Sequence, residues 1–218
     1  QIAVTGASRT DAGVHALGQV AHFDTVSRIP PDKYAYALNT MLPPDIRVRA
    51  SEHAEEDFHA RFSAVGKRYR YLIFASPHAG ALNRNTHAHV IYPLDLDRMR
   101  AELPGLVGTL DFKAFAASGS AVRDTVRTVW SAEIFQDGEE FALFVEGNGF
   151  LYNMVRIIAG TLISVGAGKL APGAFRRAME TKDRLDLGVT APAHGLTLMQ
   201  VFYEGDDSDV KSPFPGIY

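Results

Sequence analysis

The chain has 218 residues, of which 46% are hydrophobic and 22% charged, and these proportions are ordinary for a globular protein. It contains no cysteine, which excludes disulfides, thiolate metal sites and cysteine nucleophiles. The formal net charge of −3 argues mildly against a general nucleic-acid binder, although a local basic patch is enough to bind phosphates. We find no membrane-spanning stretch and no signal-peptide pattern, so we expect a cytoplasmic protein.

The chain begins with QIAVTGA, which is typical of a strand already in progress, so we expect that a segment precedes Gln1. The elements that follow are predicted from apolar periodicity and turn residues. In chain order the first half contains a strand over 13–25, a helix over 30–42, a half-exposed strand over 45–54, a strand over 67–75 and a helix over 94–108.

The second half begins with a hairpin over 128–147 that turns at Asp137-Gly138. Two helices over 153–168 and 172–184 and a closing strand over 196–204 complete it. Strands that are adjacent in order, with helices between them, predict an α+β fold with a largely antiparallel sheet. We expect one catalytic region over 1–218, built of two similar α+β halves, roughly 1–100 and 101–218.

The stretch SRTDAGVH, residues 8–15, contains a turn in which Gly13 can take a positive φ. Asp11 in this turn has two interpretations. It is a turn residue that binds backbone amides, or it is a loop carboxylate that acts as nucleophile or base. A carboxylate in a dry pocket needs a nearby cation to stay ionised.

Arg156 lies in the apolar helix NMVRIIAGTLISVGAG, residues 153–168. An arginine there needs either a partner or a route to water along its own stem. Asp11 and Arg156 would each satisfy the other, although the residues alone do not show that they meet.

The strand KRYRYLIF, residues 67–74, places Lys67 and Tyr69 on one face and Arg68 on the other. Tyrosines in a strand usually pack against neighbouring strands. Aromatic rings interleaved with cations are also typical of proteins that bind single-stranded RNA.

Other motifs carry less weight. His87 and His89 in THAHV lack a third metal ligand, and GAGKL lacks the ending of a phosphate-binding loop.

Four stretches together resemble the tRNA pseudouridine synthase A family, in order and context: SRTDAGVHALGQVAHF, FHARFSAVGKRYRY, GNGFLYNMVRIIAGTL and APAHGLTLMQVFY. The resemblance covers nearly the whole chain. The family usually has glycine where this chain has Ser8, and it normally begins with a further strand, a G-W-Q-like stretch and a helix ahead of this region. It implies a pseudouridine synthase fold, with a mixed, mainly antiparallel sheet, flanking helices and a central RNA-binding cleft.

The resemblance also implies a reaction, the isomerisation of uridine to pseudouridine on the 3′ side of the tRNA anticodon stem-loop, at tRNA positions 38, 39 or 40. Asp11 matches the catalytic carboxylate, Tyr69 the active-site tyrosine and Arg156 the basic residue that pairs with that aspartate. No cofactor and no metal are implied, and the protein is expected to be a homodimer that acts on tRNA. Candidate RNA contacts are Arg9, His15, Arg61, Lys67 and Arg68.

Two other functions are compatible with the residues. One is a non-catalytic or truncated, inactive RNA-binding protein on the same scaffold. The other is a glycoside or nucleoside hydrolase, which should show a second catalytic carboxylate near Asp11.

Overall fold

The computed structural model describes residues 2–116 and 124–205. Its centre is a seven-stranded sheet in the order β2-β9-β4-β8-β7-β6, with β5 paired to the end of β4. The strands are β2 (His15–Ala16), β4 (Ala64–Ala75), β5 (Ala88–Val90), β6 (Gly108–Asp111), β7 (Val126–Asp137), β8 (Glu140–Gly147) and β9 (Leu196–Tyr203). A separate two-stranded ladder joins β1 (Thr5–Gly6) to β3 (Ala21–His22).

The pairing within the seven-stranded sheet is mixed and mainly antiparallel, which confirms the predicted fold class. Only the β2–β9 and β4–β5 pairs of the described sheet are parallel. Strands from both halves of the chain lie in this one sheet. The similarity of the two halves and the central cleft stay predictions.

Strand β4 is the long central strand, and its aromatic and branched residues suit a pleated, half-buried surface. It pairs with β8 from Lys67 opposite Gly147 to Phe74 opposite Glu140, and with β9 on its other side. The predicted hairpin is confirmed, since β7 and β8 pair along their length and Gly138 takes a φ of 56° in the turn.

The helices of the described chain are α1 (Tyr34–Asn39), α2 (Leu96–Glu102), α3 (Met154–Gly166) and α4 (Ala174–Thr181). Apolar side chains of α2, α3 and α4 join one core cluster with Tyr69, Tyr71 and Ile73 of β4. Ten of the thirteen residues of α3 are buried, as its apolar sequence predicts. The helix that carries Arg156 is therefore fixed against the face of the sheet that carries Tyr69.

Two predicted strands are wrong in extent or existence. The strand over 13–25 is broken: the amides of Leu17 and Gly18 both donate to the Leu198 carbonyl, so the regular ladder with β9 ends there, and the chain then forms β3. The stretch 45–54 forms no strand. The Asn39 side chain occupies both backbone groups of Val48, with two hydrogen bonds of 2.8 Å, and replaces a neighbouring strand.

A smaller difference concerns one helix. The helix predicted over 94–108 ends at Glu102 in a short 3-10 turn over Leu103–Leu106 that contains Pro104, and the chain becomes β6 at Gly108. No helix within residues 2–116 and 124–205 is long and apolar enough to cross a membrane.

Candidate active site

Asp11 begins a tight turn at the edge of the sheet. The Val14 amide donates to the Asp11 carbonyl at 2.9 Å, and Gly13 takes the positive φ, 84°, that such a turn requires. Strand β2 follows at once and pairs in parallel with β9, opposite Thr197 and Leu198. The turn is thus held beside the start of β9, and the Asp11 carboxylate accepts no hydrogen bond from any described residue.

Tyr69 lies on β4 with only 7% of its surface exposed. Its hydroxyl forms a 2.8 Å hydrogen bond with the Ser8 hydroxyl, and the Phe150 ring meets its ring edge-on at 5.2 Å. Burial raises the pKa of Tyr69, the Asp11 charge raises it further, and the Ser8 hydrogen bond opposes both. The phenol therefore stays protonated at neutral pH.

The structure brings Asp11 and Tyr69 together, although 58 positions separate them in the sequence. Ser8, three residues before Asp11, is bound to the tyrosine hydroxyl, and Asp11 lies near enough for its charge to act on the phenol. A carboxylate that accepts no hydrogen bond from the described residues, beside a neutral phenol, is suited to react with an electron-poor carbon or to accept a proton.

Arg156 does not pair directly with Asp11 in this structure, contrary to the pairing that the resemblance implies. No ion pair within 4.0 Å joins them among the described residues. Arg156 instead donates from Nε to the Ala191 carbonyl at 2.8 Å and from Nη1 to the Asn153 side-chain oxygen at 2.8 Å. These uncharged acceptors satisfy part of the guanidinium, which is half-buried, and its Nη2 donates to no described residue.

The Arg156 contacts fasten one short segment of backbone to the site. The Ala191 amide donates back to the Arg156 carbonyl at 3.1 Å, so Ala191 is held from both sides. Next along the chain, the Pro192 carbonyl accepts from the Tyr71 hydroxyl at 2.7 Å. A Cβ on Gly13 would lie 3.5 Å from the Ala193 Cβ, so the turn that begins at Asp11 rests against this segment. Arg156 and Asp11 are therefore linked through residues 191–193.

Lys67 lies on the Tyr69 face of β4 and is tied to the same loop. Its Nζ donates to the Ala7 carbonyl at 3.0 Å, directly before Ser8. Burial lowers the pKa of Lys67, and the nearby charge of Arg61 lowers it further. Lys67 therefore positions the Asp11 loop and adds a cation to this side of the sheet.

The other predicted RNA contacts are distributed around this centre. Arg9 and Arg61 are exposed. The His15 ring is half-buried and its Nε2 lies 2.7 Å from the Asn85 carbonyl. Arg68 lies on the opposite face of β4, where it is paired with Glu146 at 2.5 Å and is 19% exposed. Its role as an RNA contact therefore stays a prediction that its position does not favour.

Sequence reasoning missed the groups that hold the predicted site residues. Ser8 was noted only as a departure from the family pattern, yet it binds Tyr69. The contact of Asn153 could have been predicted from the sequence, because an asparagine at a helix start lies on the same side of the helix as an arginine three residues later. Asn153 takes a left-handed φ of 62° and accepts from Arg156. The Ala191 carbonyl has no signal in the sequence.

Within the described part of the chain, no group of three or more His, Asp or Glu side chains is placed to hold a metal ion. His87 and His89, the weak candidates from the sequence, make separate contacts. His87 lies 3.8 Å from Glu140, and His89 lies 2.8 Å from the Ser76 carbonyl.

Comparison with known proteins gives the family of the chain. A sequence model of the family described as "tRNA pseudouridine synthase" matches residues 1–63 and 104–204. These ranges contain the Asp11 turn, β8, the Arg156 helix and β9. The chain belongs to the tRNA pseudouridine synthase family.

Curated relatives support the same assignment. A protein named tRNA pseudouridine synthase A from Ruminiclostridium cellulolyticum is 52% identical over 203 residues, which cover 93% of this chain and 83% of the relative. Proteins of the same name from Bacillus velezensis and Bacillus subtilis are 47% and 46% identical over 204 residues, with 94% of this chain and 83% of each relative covered. The matched region includes most of the residues that the structure describes.

Proposed function

We propose that this protein isomerises uridine to pseudouridine in tRNA, with Asp11 as the reacting carboxylate. The observation that carries the proposal is the juxtaposition of the Asp11 turn with the Tyr69 hydroxyl, through Ser8, in a chain of this family. The reaction breaks the N1–C1′ bond of the nucleotide, turns the uracil, forms a C5–C1′ bond, releases the C5 proton and adds a proton to N1. No atom is gained from the protein and none is left on it at the end.

Each residue has a role that follows from its position. The Asp11 carboxylate accepts no hydrogen bond within residues 2–116 and 124–205, so its lone pairs are available to the nucleotide. The Tyr69 ring offers a buried aromatic surface against the uracil, and its protonated hydroxyl donates or relays a proton near C5. Arg156 acts on the segment at residues 191–193 that supports the Asp11 turn, and its Nη2 is available to an anionic group. The uridine must leave its stack to reach these groups.

The test is the release of tritium to water from tRNA transcript labelled at C5 of uracil. We expect release by the wild-type protein and none by Asp11→Asn, which keeps the size of the side chain and removes its charge, while tRNA binding is retained. Asp24→Asn is a matched control, because Asp24 is an exposed aspartate beyond β3. Full activity of Asp11→Asn would remove Asp11 from its role.

The same assay separates the alternatives. Binding of tRNA by the wild-type protein without tritium release would favour a non-catalytic RNA-binding protein. Release of free uracil, in place of RNA of unchanged mass, would favour a hydrolase. The isomerase is the function that the family and the free carboxylate support.

Tyr69→Phe separates the ring of the tyrosine from its hydroxyl. The variant keeps the apolar surface and loses the hydrogen bond to Ser8. If the hydroxyl moves a proton, we expect turnover to fall by about a hundredfold with little change in tRNA affinity. Ser8→Ala is the companion variant, since it removes the same hydrogen bond and leaves the phenol. Turnover of Tyr69→Phe equal to that of Ser8→Ala would restrict the hydroxyl to a positioning role.

We further propose that the target uridines lie on the 3′ side of the anticodon stem-loop, that the active form is a homodimer, and that it works in the cytoplasm. The resemblance of the four motifs supports these three statements. Mapping of pseudouridine in tRNA transcripts tests the first, sedimentation of the purified protein with and without tRNA tests the second, and cell fractionation tests the third. Pseudouridine only outside the anticodon stem-loop, a monomer throughout, or recovery with the membrane fraction would contradict the respective statement.

A further inference from the structure

Phe62 is an exposed aromatic ring that stacks on one neighbouring ring and has a guanidinium close by. It follows directly after Arg61 in the turn before β4, and 77% of its surface is exposed. Its ring stacks on the His59 imidazole, with centroids 4.2 Å apart and an angle of 29° between the planes. The outer surface of a stacked aromatic pair is a surface on which a third flat ring can lie.

The turn that presents Phe62 is held rigidly. His59 Nδ1 accepts the backbone amides of Arg61 and Phe62 at 3.2 and 3.1 Å, so the proton of a neutral ring is on Nε2. Between them, Ala60 is anchored on both sides. Its amide donates to His22 Nδ1 at 3.0 Å, and its carbonyl accepts from the Tyr203 hydroxyl at 2.7 Å. The backbone that carries Phe62 is therefore held in place before any ligand binds, and the ring rests on the His59 imidazole, which lowers the entropic cost of binding.

The electrostatic surroundings favour an anion beside the ring. The Arg61 guanidinium lies 5.9 Å from the Phe62 ring centroid and is exposed. An acidic stretch, residues 52–57, precedes the turn, but none of its carboxylates lies within 4.0 Å of Arg61 among the described ion pairs. Arg61 also lies near enough to Lys67 to lower its pKa.

The turn and the candidate active site are continuous. Lys67 joins them, because its Nζ binds the Ala7 carbonyl just before Ser8. On the other side, His22 accepts from Ala60 and lies on β3, which pairs with β1 at Thr5, shortly before the Asp11 turn. The Phe62 turn and the Asp11 turn are therefore joined through Lys67 and through the β1–β3 ladder.

We propose that Phe62, backed by His59, stacks one unpaired base of the RNA substrate next to the flipped uridine, and that Arg61 contacts the adjacent phosphate. The proposal rests on the proposed function for the identity of the RNA. The occupant is a nucleobase because a flat ring surface beside an exposed cation matches the stacking and phosphate contacts of single-stranded nucleic acid. A buried apolar contact with protein would not need the exposed guanidinium.

The test compares Phe62→Leu, which keeps apolar bulk, with Phe62→Tyr, which keeps the ring. Tyr36→Leu is the matched control, since Tyr36 is a 71% exposed aromatic on α1. The dissociation constant of the complex with unmodified tRNA transcript is measured at fixed salt concentration, together with tritium release. We expect Phe62→Leu to weaken binding about tenfold, within the range of about five- to 150-fold for loss of one stacked base, and the other two variants to stay within about twofold of wild type.

A second variant, Phe62→Trp, reports stacking directly. The chain has one native tryptophan, Trp130, so the added fluorescence is the difference from wild type. We expect this added fluorescence to be quenched when tRNA binds, because a base stacks on the indole.

Equal binding by Phe62→Leu and Tyr36→Leu, or no quenching of the added tryptophan, would overturn the proposal. A change of oligomeric state in Phe62→Leu would also overturn it, because the ring would then contact protein. These outcomes are distinct from failure of the proposed function, which would show as absent tritium release by wild-type protein while the binding comparison remains measurable.

Discussion

Replacement of Arg156 by methionine is the sharpest test of how the site is built. Methionine keeps most of the apolar stem and removes the two hydrogen bonds of 2.8 Å to the Ala191 carbonyl and the Asn153 side chain. Hydrogen bonds from a charged donor contribute about 1.5–3 kcal/mol each, and the lower figure applies because the guanidinium is half-buried. We therefore expect a loss of about 3 kcal/mol in the free energy of unfolding, since Ala191 is only 2% exposed and its carbonyl loses a donor.

The measurement is urea unfolding followed by circular dichroism. With a denaturant slope of about 3 kcal/mol/M, the midpoint should fall by about 1 M. Arg176→Met is the control, because Arg176 is exposed on α4 and its side chain forms no hydrogen bond within the described residues. Tritium release should fall with Arg156→Met as well, since residues 191–193 support the Asp11 turn. An unchanged midpoint with full activity would refute this account of Arg156.

A double-mutant cycle between Asp11→Asn and Arg156→Met addresses direct pairing. The two side chains are not within 4.0 Å of each other as an ion pair in the described structure, so their effects on stability should add to within about 0.5 kcal/mol. A coupling free energy above about 1 kcal/mol would contradict this additivity and would show that the two side chains interact, either directly or through residues 191–193.

Two further predictions concern the scaffold. Gly160→Ala should lower the free energy of unfolding by about 1–3 kcal/mol, because the new Cβ would stand 1.8 Å from the Val189 carbonyl oxygen; an unchanged urea midpoint would contradict it. Burial lowers the pKa of His87 below its ordinary value of 6.5, and the Glu140 charge opposes this shift. Just below pH 6.5 the unfolded chain therefore binds more protons than the folded chain. The free energy of unfolding falls in this range as the pH drops. His87→Gln should lessen the drop in urea midpoint between about pH 7.5 and 5.5, whereas the exposed-site variant His53→Gln should not; equal drops in both variants would count against it.

The parts of the fold that could be predicted are those in which local pattern and tertiary pairing agree. Strand β4 alternates aromatic and branched residues with cations, and the hairpin has a glycine where the turn needs a positive φ. The stretch 45–54 has an equally clear alternation and yet forms no strand. Its backbone at Val48 is bound by Asn39, and Ile46 remains 50% exposed. The alternation of apolar and polar residues alone does not show whether a partner strand lies close enough to pair.

The site also contains residues that could be predicted from the sequence and contacts that could not. Asp11, Tyr69 and Arg156 could be named from the sequence because their motifs resemble one family, and their catalytic roles stay predictions. The partner of Arg156 could not be named. One acceptor is a backbone carbonyl 35 positions away, and a carbonyl carries no identity in a sequence. The other is Asn153, whose side chain is visible in the sequence but whose left-handed φ of 62° is not.

Close packing of backbone explains why the Arg156 contact matters to a turn on another part of the chain. A Cβ on Gly188 would lie 2.6 Å from the Gly160 carbonyl oxygen, so the segment before Ala191 touches α3 directly. Gly195, at the other end, lies against the Tyr71 ring, where a Cβ would be 2.6 Å from the ring carbon. The segment between these two glycines has little freedom to move. Arg156 binds Ala191 near its middle and so helps to fix its position. Because the Asp11 turn rests on this segment, a change at Arg156 reaches the carboxylate without a direct contact.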